Sequence, residues 1–337
     1  MNPETDDILR LNQVSVGLRT AGGEARILRD VSFSVERGRI VALAGESGSG
    51  KSTALLAVLR LLAPGARVSG EILVDGQNIV PLRGRRLRDF RARTARMVFQ
   101  DPWRALHPMH SIGGQLVESA RAADRSLSRK AALDLAGDTL SRVGIPDPHA
   151  RLRSYPHEVS GGQLQRIVIA MALVASPSLL LCDEPTTALD VTTQAQILEL
   201  LQELNRDLGI SIVVATHDLD VITDIADELV VMYAGAVSEE GPTEQVMARP
   251  EHPYTWSLLQ AAPGRHPGER LRAIEGRPPS PLTVITGCPF APRCEHRRQV
   301  CETAPLTPVS VAHAPERRSS CVRVTAASAG SMERTSG

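Results

Sequence analysis

Gly45-Glu46-Ser47-Gly48-Ser49-Gly50-Lys51-Ser52-Thr53 lies between an apolar, β-branched run, Arg39-Ile40-Val41-Ala42-Leu43-Ala44, and the helix-favouring Ala54-Leu55-Leu56-Ala57-Val58-Leu59. Strand, glycine-rich turn and helix, in that order, distinguish a phosphate-binding G-x-x-x-x-G-K-[ST] loop from a chance match. Glycines permit backbone conformations that other residues resist, so successive N–H groups turn inward around a phosphate. The helix that follows adds its positive N-terminal end. In such a loop Lys51 reaches the β- and γ-phosphates and the Ser52 hydroxyl ligates Mg²⁺. The plain alternative is a Gly/Ser-rich connecting turn, and the flanking strand and helix argue against it. A nucleotide site is expected.

Around this loop, 337 residues suffice for one large domain or two smaller ones. A hydrophobic content of 42% with 23% charged residues is ordinary for a soluble globular protein. The 38 basic residues balance 38 acidic ones, so no global field favours nucleic acid or anionic lipid. No apolar run approaches the ~20 residues of a membrane span, and the N-terminus is acidic rather than signal-like. The protein is expected in the cytoplasm, with any membrane attachment made through a partner. Five cysteines do not suggest a disulfide framework, although four of them crowd the last fifty residues.

Upstream of the loop, residues 8–35 alternate apolar and polar around a turn at Gly22-Gly23, which predicts antiparallel strands. Downstream, Gly70–Gly76 reads as a strand ended by an Asp-Gly turn. The run Arg83–Arg96 is densely basic and is read as a solvated helix face rather than a nucleic-acid patch. From Leu106 to about Ser154 the pattern is mostly helical, and a helical subdomain over about 88–165 is expected as an insertion in an α/β core. Strands are predicted at Leu179–Cys182, Ile210–Ala215 and Glu228–Tyr233, with helices at Thr192–Arg206 and Leu219–Ala226 between them. Such alternation favours βαβ crossovers and a largely parallel sheet. Past about Pro263 the chain turns Pro-, Arg- and Gly-rich, and residues 324–337 are expected to be a disordered tail.

Asp183-Glu184 directly follows the apolar run Leu179–Cys182, where open parallel sheets bind ligands. Asp183 is then placed to hold Mg²⁺ through its water shell, and Glu184 to polarise a water for attack on the γ-phosphate. Alternatively, the two acids cap a helix starting at Pro185. Ser160-Gly161-Gly162-Gln163 opens a helical stretch, with Ser160 a good N-cap and the glycines leaving N–H groups for an anion. Cys182 reads as a small core residue.

Together these residues resemble the ATP-binding cassette (ABC) ATPases. Gly45–Thr53 matches the Walker A loop, Leu179–Asp183 matches Walker B, and Glu184 matches the catalytic carboxylate. Val159–Gln163 matches the signature motif, with Val159 a mild departure from leucine. Gln100, in Met97-Val98-Phe99-Gln100-Asp101-Pro102, matches the Q-loop, which also faces Mg²⁺. Ala188-Leu189-Asp190 matches the D-loop, and His217 matches the switch histidine. The resemblance implies a RecA-like parallel core with an N-terminal antiparallel β subdomain and an inserted helical subdomain. It implies head-to-tail pairing of cassettes, with Ser160, Gly161, Gly162, Gln163 and Asp190 serving ATP on a partner cassette. The family stacks adenine on an aromatic residue; Leu18 stands there and offers apolar contact without a π-face.

Several phrases are similar to the oligopeptide/dipeptide importer branch: Leu106-His107-Pro108, Tyr155-Pro156-His157-Glu158, Asp183–Thr192, His252-Pro253-Tyr254-Thr255, and Gly287–Cys294 in a C-terminal extension. The cassette is then expected over 8–260 and the extension over 261–323. The branch implies two membrane permeases, a second related ATPase, an external solute-binding protein, and a place at the cytoplasmic face of the cell membrane. Other solutes such as nickel, or a soluble non-transport ABC protein, are the alternatives. Cys288, Cys294, Cys301 and Cys321, spaced by five, six and nineteen residues, suit either tetrahedral Zn²⁺ or a [4Fe–4S] cluster. The paired C-x₂-C of structural zinc is absent, and the resemblance favours [4Fe–4S].

Overall fold

The structure is a computed structural model, and it describes residues 6–187, 189–262, 273–303 and 308–327. The chain forms two compact units: Met1–Leu9, Val35–Ile40 and Leu73–Ala215 in one, and Arg10–Ser34, Val41–Ile72 and Thr216–Gly337 in the other.

In the first unit, the strand Leu179–Asp183 runs parallel between Ala95–Val98 and Ser211–Thr216, with Cys182 opposite both Val98 and Val214. Leu179–Cys182 is buried throughout, the burial on both faces that makes a parallel strand read as an unbroken apolar run. Around it lie helices Gly84–Arg93, Ile112–Ala123, Arg129–Arg142 and Gly161–Leu173. Ser111 and Ser128 cap two of them by accepting from Gly114 N and Ala131 N, satisfying N–H groups that the first helical turn leaves over. The helical insertion expected from 88 therefore also contains a strand, Ala95–Val98, hidden in the sequence at the end of the arginine-rich run. Two arginines of the basic run bond within the protein. Arg93 donates to Ala123 O at 2.6 Å, and Arg96 donates to Ser119 Oγ and, at 3.0 Å, to Met171 O. The strand Arg67–Val74 turns into Gln77–Asn78 at Asp75 (φ 51°) and Gly76 (φ 72°), the expected Asp-Gly turn.

In the second unit, strands Asp7–Thr20 and Gly23–Glu36 flank the expected tight turn. Ile40–Ala44 pairs parallel with Glu228–Tyr233, Ala44 opposite Val231. From there the sheet continues antiparallel through Ala236–Pro242, Ala314–Ser319 and Val309–Val311. The C-terminal extension thus prolongs the sheet. Helix Pro253–Gln260 packs Tyr254 and Leu259 with Phe290 of the extension against Ala42, Ala44, Val231 and Tyr233. A short helix, Val322–Ala327, occupies the first residues of the segment expected to be disordered; 328–337 lie outside the described residues. Among the described residues no helix is long and apolar enough to cross a membrane.

Candidate nucleotide-binding and hydrolysis site

The second unit carries the phosphate loop. Ile40–Ala44 is wholly buried and delivers Gly45 with φ 146°, and Gly50 (φ 106°) opens the helix Lys51–Val58. A Cβ on Gly45 would lie 2.2 Å from Met232 O, and one on Gly50 would lie 2.8 Å from Leu28 Cδ2. Both positions therefore require glycine on conformation and on space. Gly235 N donates to Ser49 O at 2.9 Å, so the turn after Glu228–Tyr233 props the loop from beneath. Lys51 Nζ donates to Gly45 O at 2.7 Å and Glu46 O at 3.2 Å. Ser49 Oγ is buried without a hydrogen-bond partner among the described residues. Side-chain-free space, an orphaned hydroxyl and an uncapped helix start fit the phosphates of a nucleotide. Ser47, Gly48 and Ser52 are exposed, Thr53 is half-buried, and Leu18 lies half-buried near the hairpin end of its strand.

The first unit brings Gln100 and Glu184 together, just past the ends of two neighbouring parallel strands. Gln100 Nε2 donates to Glu184 Oε2 at 2.9 Å, and Thr187 Oγ1 donates to the same oxygen at 3.0 Å. Glu184 has φ 46°, the left-handed region, fixed by its N–H donating to Ala215 O at 2.8 Å. Non-glycine residues pay about 1–3 kcal/mol there, and such strain concentrates at functional sites. Asp183 ends its strand opposite Ala215, half-buried. Each unit carries hard oxygen donors of the kind Mg²⁺ takes: the Ser52 hydroxyl in the second, and the Asp183 carboxylate and Gln100 amide oxygen in the first. His217 follows Thr216 and is exposed. Burial pushes the Cys182 thiol far up, beside Asp183, as suits an inert core residue.

The signature segment stands at a helix start. Ser160 Oγ accepts from Gln163 N at 3.3 Å while Gln163 Oε1 accepts from Ser160 N at 3.4 Å, a capping box. Gln163 is thus spent on the cap, whereas Ser160 and Gly161 are exposed. A Cβ on Gly162 would meet Thr193 Cγ2 at 2.7 Å, so this glycine also serves packing. Asp190 caps Val191–Leu208, accepting from Thr193 N at 2.9 Å and Thr193 Oγ1 at 2.7 Å; these bonds hold its carboxyl below the usual range.

The four late cysteines line one cavity of about 20 Å³ together with Phe290 and His296, space for little more than one water. Burial holds the Cys288 thiol up at about 11. Among the described residues no three His, Cys, Asp or Glu side chains form a group able to hold a metal ion. The donors have the right chemistry for a cluster, but as spaced here they do not fit one, and the iron–sulfur expectation is not supported. Thr187, beside Glu184, and Gly235, Tyr254 and Arg293, on the side of the phosphate loop, are not singled out as site residues by the sequence, although Thr187, Tyr254 and Arg293 lie in the importer-like phrases.

The ABC transporter family model matches residues 28–187. The dipeptide transport ATP-binding protein DppD of Bacillus subtilis is 44% identical over 300 residues, covering 88% of this chain and 89% of that protein. The chain belongs to the ABC transporter family. A second family model, oligopeptide/dipeptide transporter, C-terminal region, matches residues 238–301 of this ABC ATPase. The oligopeptide transport ATP-binding protein OppD of Escherichia coli is 41% identical over 303 residues, 90% of either chain. Among solved structures, a post-hydrolysis dimer of the ATP-binding cassette MJ0796 bound to ADP and Pi superposes with TM-score 0.63 and 28% identity, over 70% of this chain and 98% of that one. CbiO1 of Clostridium perfringens gives TM-score 0.61 and 31% identity, over 73% and 92%. The ABC cassette fold expected from the sequence is the fold found.

Proposed function

We propose that this ABC ATPase is the ATP-hydrolysing subunit of an importer for di- or oligopeptides, bound to its permeases at the cytoplasmic face of the cell membrane. The observation that carries the reading is the oligopeptide/dipeptide C-terminal region on the same chain as the glycine-cradled phosphate loop. In this reading the N–H groups of Gly45–Thr53 and the Lys51 ammonium hold the phosphates, and Leu18 covers the adenine. Ser52, Asp183 and Gln100 hold Mg²⁺, which neutralises charge on the phosphates when bound. Glu184, aimed by Gln100 and Thr187, takes a proton from the attacking water, and His217 contacts the γ-phosphate. Ser160, Gly161 and Gly162 close over ATP held by a second, related cassette, with Asp190 beside them and Gln163 fixing their helix start. Binding thus draws two cassettes together and hydrolysis releases them.

Isolation of the tagged chain from gently solubilised membranes tests the assembly. Two polytopic permeases, a second cassette and a solute-binding protein are expected. Ribosomal or DNA-repair components without permeases would contradict it, and a nickel-specific binding protein would move the solute but not the machine. The four cysteines line one cavity but, as placed, form no metal-holding group among the described residues. Iron and sulfide counts on anaerobically purified protein decide: about four irons per chain restore the cluster, and none excludes it.

A further inference from the structure

We propose that Arg293, in the cysteine-rich extension, is a positioning residue for the phosphate loop: its guanidinium clamps the Glu46 carboxylate and fixes the loop entry in the shape that receives nucleotide phosphates. The inference rests on the reading of Gly45–Thr53 as the ATP phosphate site. Arg293 Nη1 donates to Glu46 Oε2 at 2.7 Å and Nη2 donates to Glu46 Oε1 at 3.1 Å. This is the two-pronged pairing that a planar guanidinium makes with a carboxylate and that lysine cannot reproduce. The remaining bonds hold the clamp itself still. Nε donates to Glu275 O at 2.8 Å, Nη2 to Ile274 O at 3.0 Å and Nη1 to Tyr233 Oη at 3.1 Å. The guanidinium carbon lies 5.7 Å and 5.9 Å from the ring centroids of Tyr233 and Phe290, and the side chain is only 4% exposed.

Glu46 is gripped at its backbone as well. Its N–H donates to Tyr254 Oη at 2.8 Å, and its carbonyl accepts from Lys51 Nζ at 3.2 Å. A residue between the first glycine and the lysine of the loop is therefore anchored to a segment 247 positions downstream. The clamp is not the extension's sole attachment, since the extension also joins the sheet through Glu239↔Ser319 and the core through Phe290. Its direct product is a fixed backbone at Glu46, next to the carbonyls that Lys51 touches. With the clamp cut, the loop samples more conformations and loses nucleotide affinity, because ordering it again costs entropy on binding.

The test is titration of the full-length chain and its variants with Mg-ADP by calorimetry, with melting temperature measured alongside. Arg293→Gln and Glu46→Gln are each expected to weaken Mg-ADP about tenfold, the scale of a lost charged hydrogen-bond pair. The double variant is expected to be no weaker than the worse single, since both cut one interaction. Wild-type affinity in Arg293→Gln with a lowered melting temperature would mean a purely structural tie and overturns the proposal; additive losses in the double variant overturn it too. If Arg293→Gln does not fold, Glu46→Gln alone decides: weakening supports the clamp and unchanged affinity overturns it. A wild-type chain that fails to bind Mg-ADP overturns the loop reading itself, a failure distinct from a variant-specific null.

Discussion

At the residue scale, the proposed function places its largest burden on Glu184. Its left-handed backbone and its bonds from Gln100 and Thr187 hold one carboxylate oxygen in a fixed direction. Glu184→Gln keeps the size and the Thr187 contact but cannot take a proton. ATP turnover is expected to fall at least about 100-fold, the scale of a lost general base, with ATP binding retained; steady-state turnover alongside nucleotide titration checks both. Gly162→Ala makes a different kind of change. Its Cβ would meet Thr193 Cγ2 at 2.7 Å, so the helix start must shift, and a lowered melting temperature is expected together with lowered turnover. Lys51, Asp183 and Glu184 are singled out in the sequence because such chemistry is tied to a local order of strand, turn and helix. Tyr254 and Arg293 were not legible: their hydrogen bonds to Glu46 span 208 and 247 residues, and no periodicity encodes such a meeting.

At the element scale, the strands missed by sequence reading explain themselves. Ala236–Pro242 contains Glu239-Glu240, which reads as surface, yet Glu239 is fully buried against Arg317 at 2.7 Å and accepts from Glu251 N and His252 N. Its partner lies on Ala314–Ser319, 78 residues away. A buried pair is legible only as a pair. Arg317→Met strands that carboxylate and is expected to cost about 3–5 kcal/mol, measurable as a fall in denaturant midpoint. Glu240, beside Arg318 and Glu228, is pushed up to about 7 by burial in spite of the arginine. The folded state then keeps a proton that the unfolded chain releases, so stability falls as pH rises from about 4.5 to about 7, by at most about 3 kcal/mol. Buried His252 acts oppositely. Burial lowers it to about 4, so its contribution is lost as pH falls from about 6.5 towards 4. Glu240→Gln is expected to remove the decline between about pH 4.5 and 7 while leaving the acid-side loss; thermal melts of both proteins from about pH 4 to 8 check it.

At the scale of the whole molecule, cassette and extension share a sheet and a core within one unit. Phe290, from the extension, packs with Tyr233 and Tyr254, ring centroids 5.3 Å from each. The sequence announced the extension by composition and cysteines, which say nothing of where it packs. It becomes part of the fold because strand pairing and aromatic packing are long-range properties. The importer reading then concerns what this chain does inside an assembly, and uptake tests it most directly. Accumulation of a labelled, non-hydrolysable tripeptide should be measured in cells whose only copy of the chain is wild type or Glu184→Gln, with membrane association of the chain followed in parallel. Uptake lost in the variant, with the chain still on the membrane, is the predicted result. Undiminished peptide uptake in the variant would contradict the account.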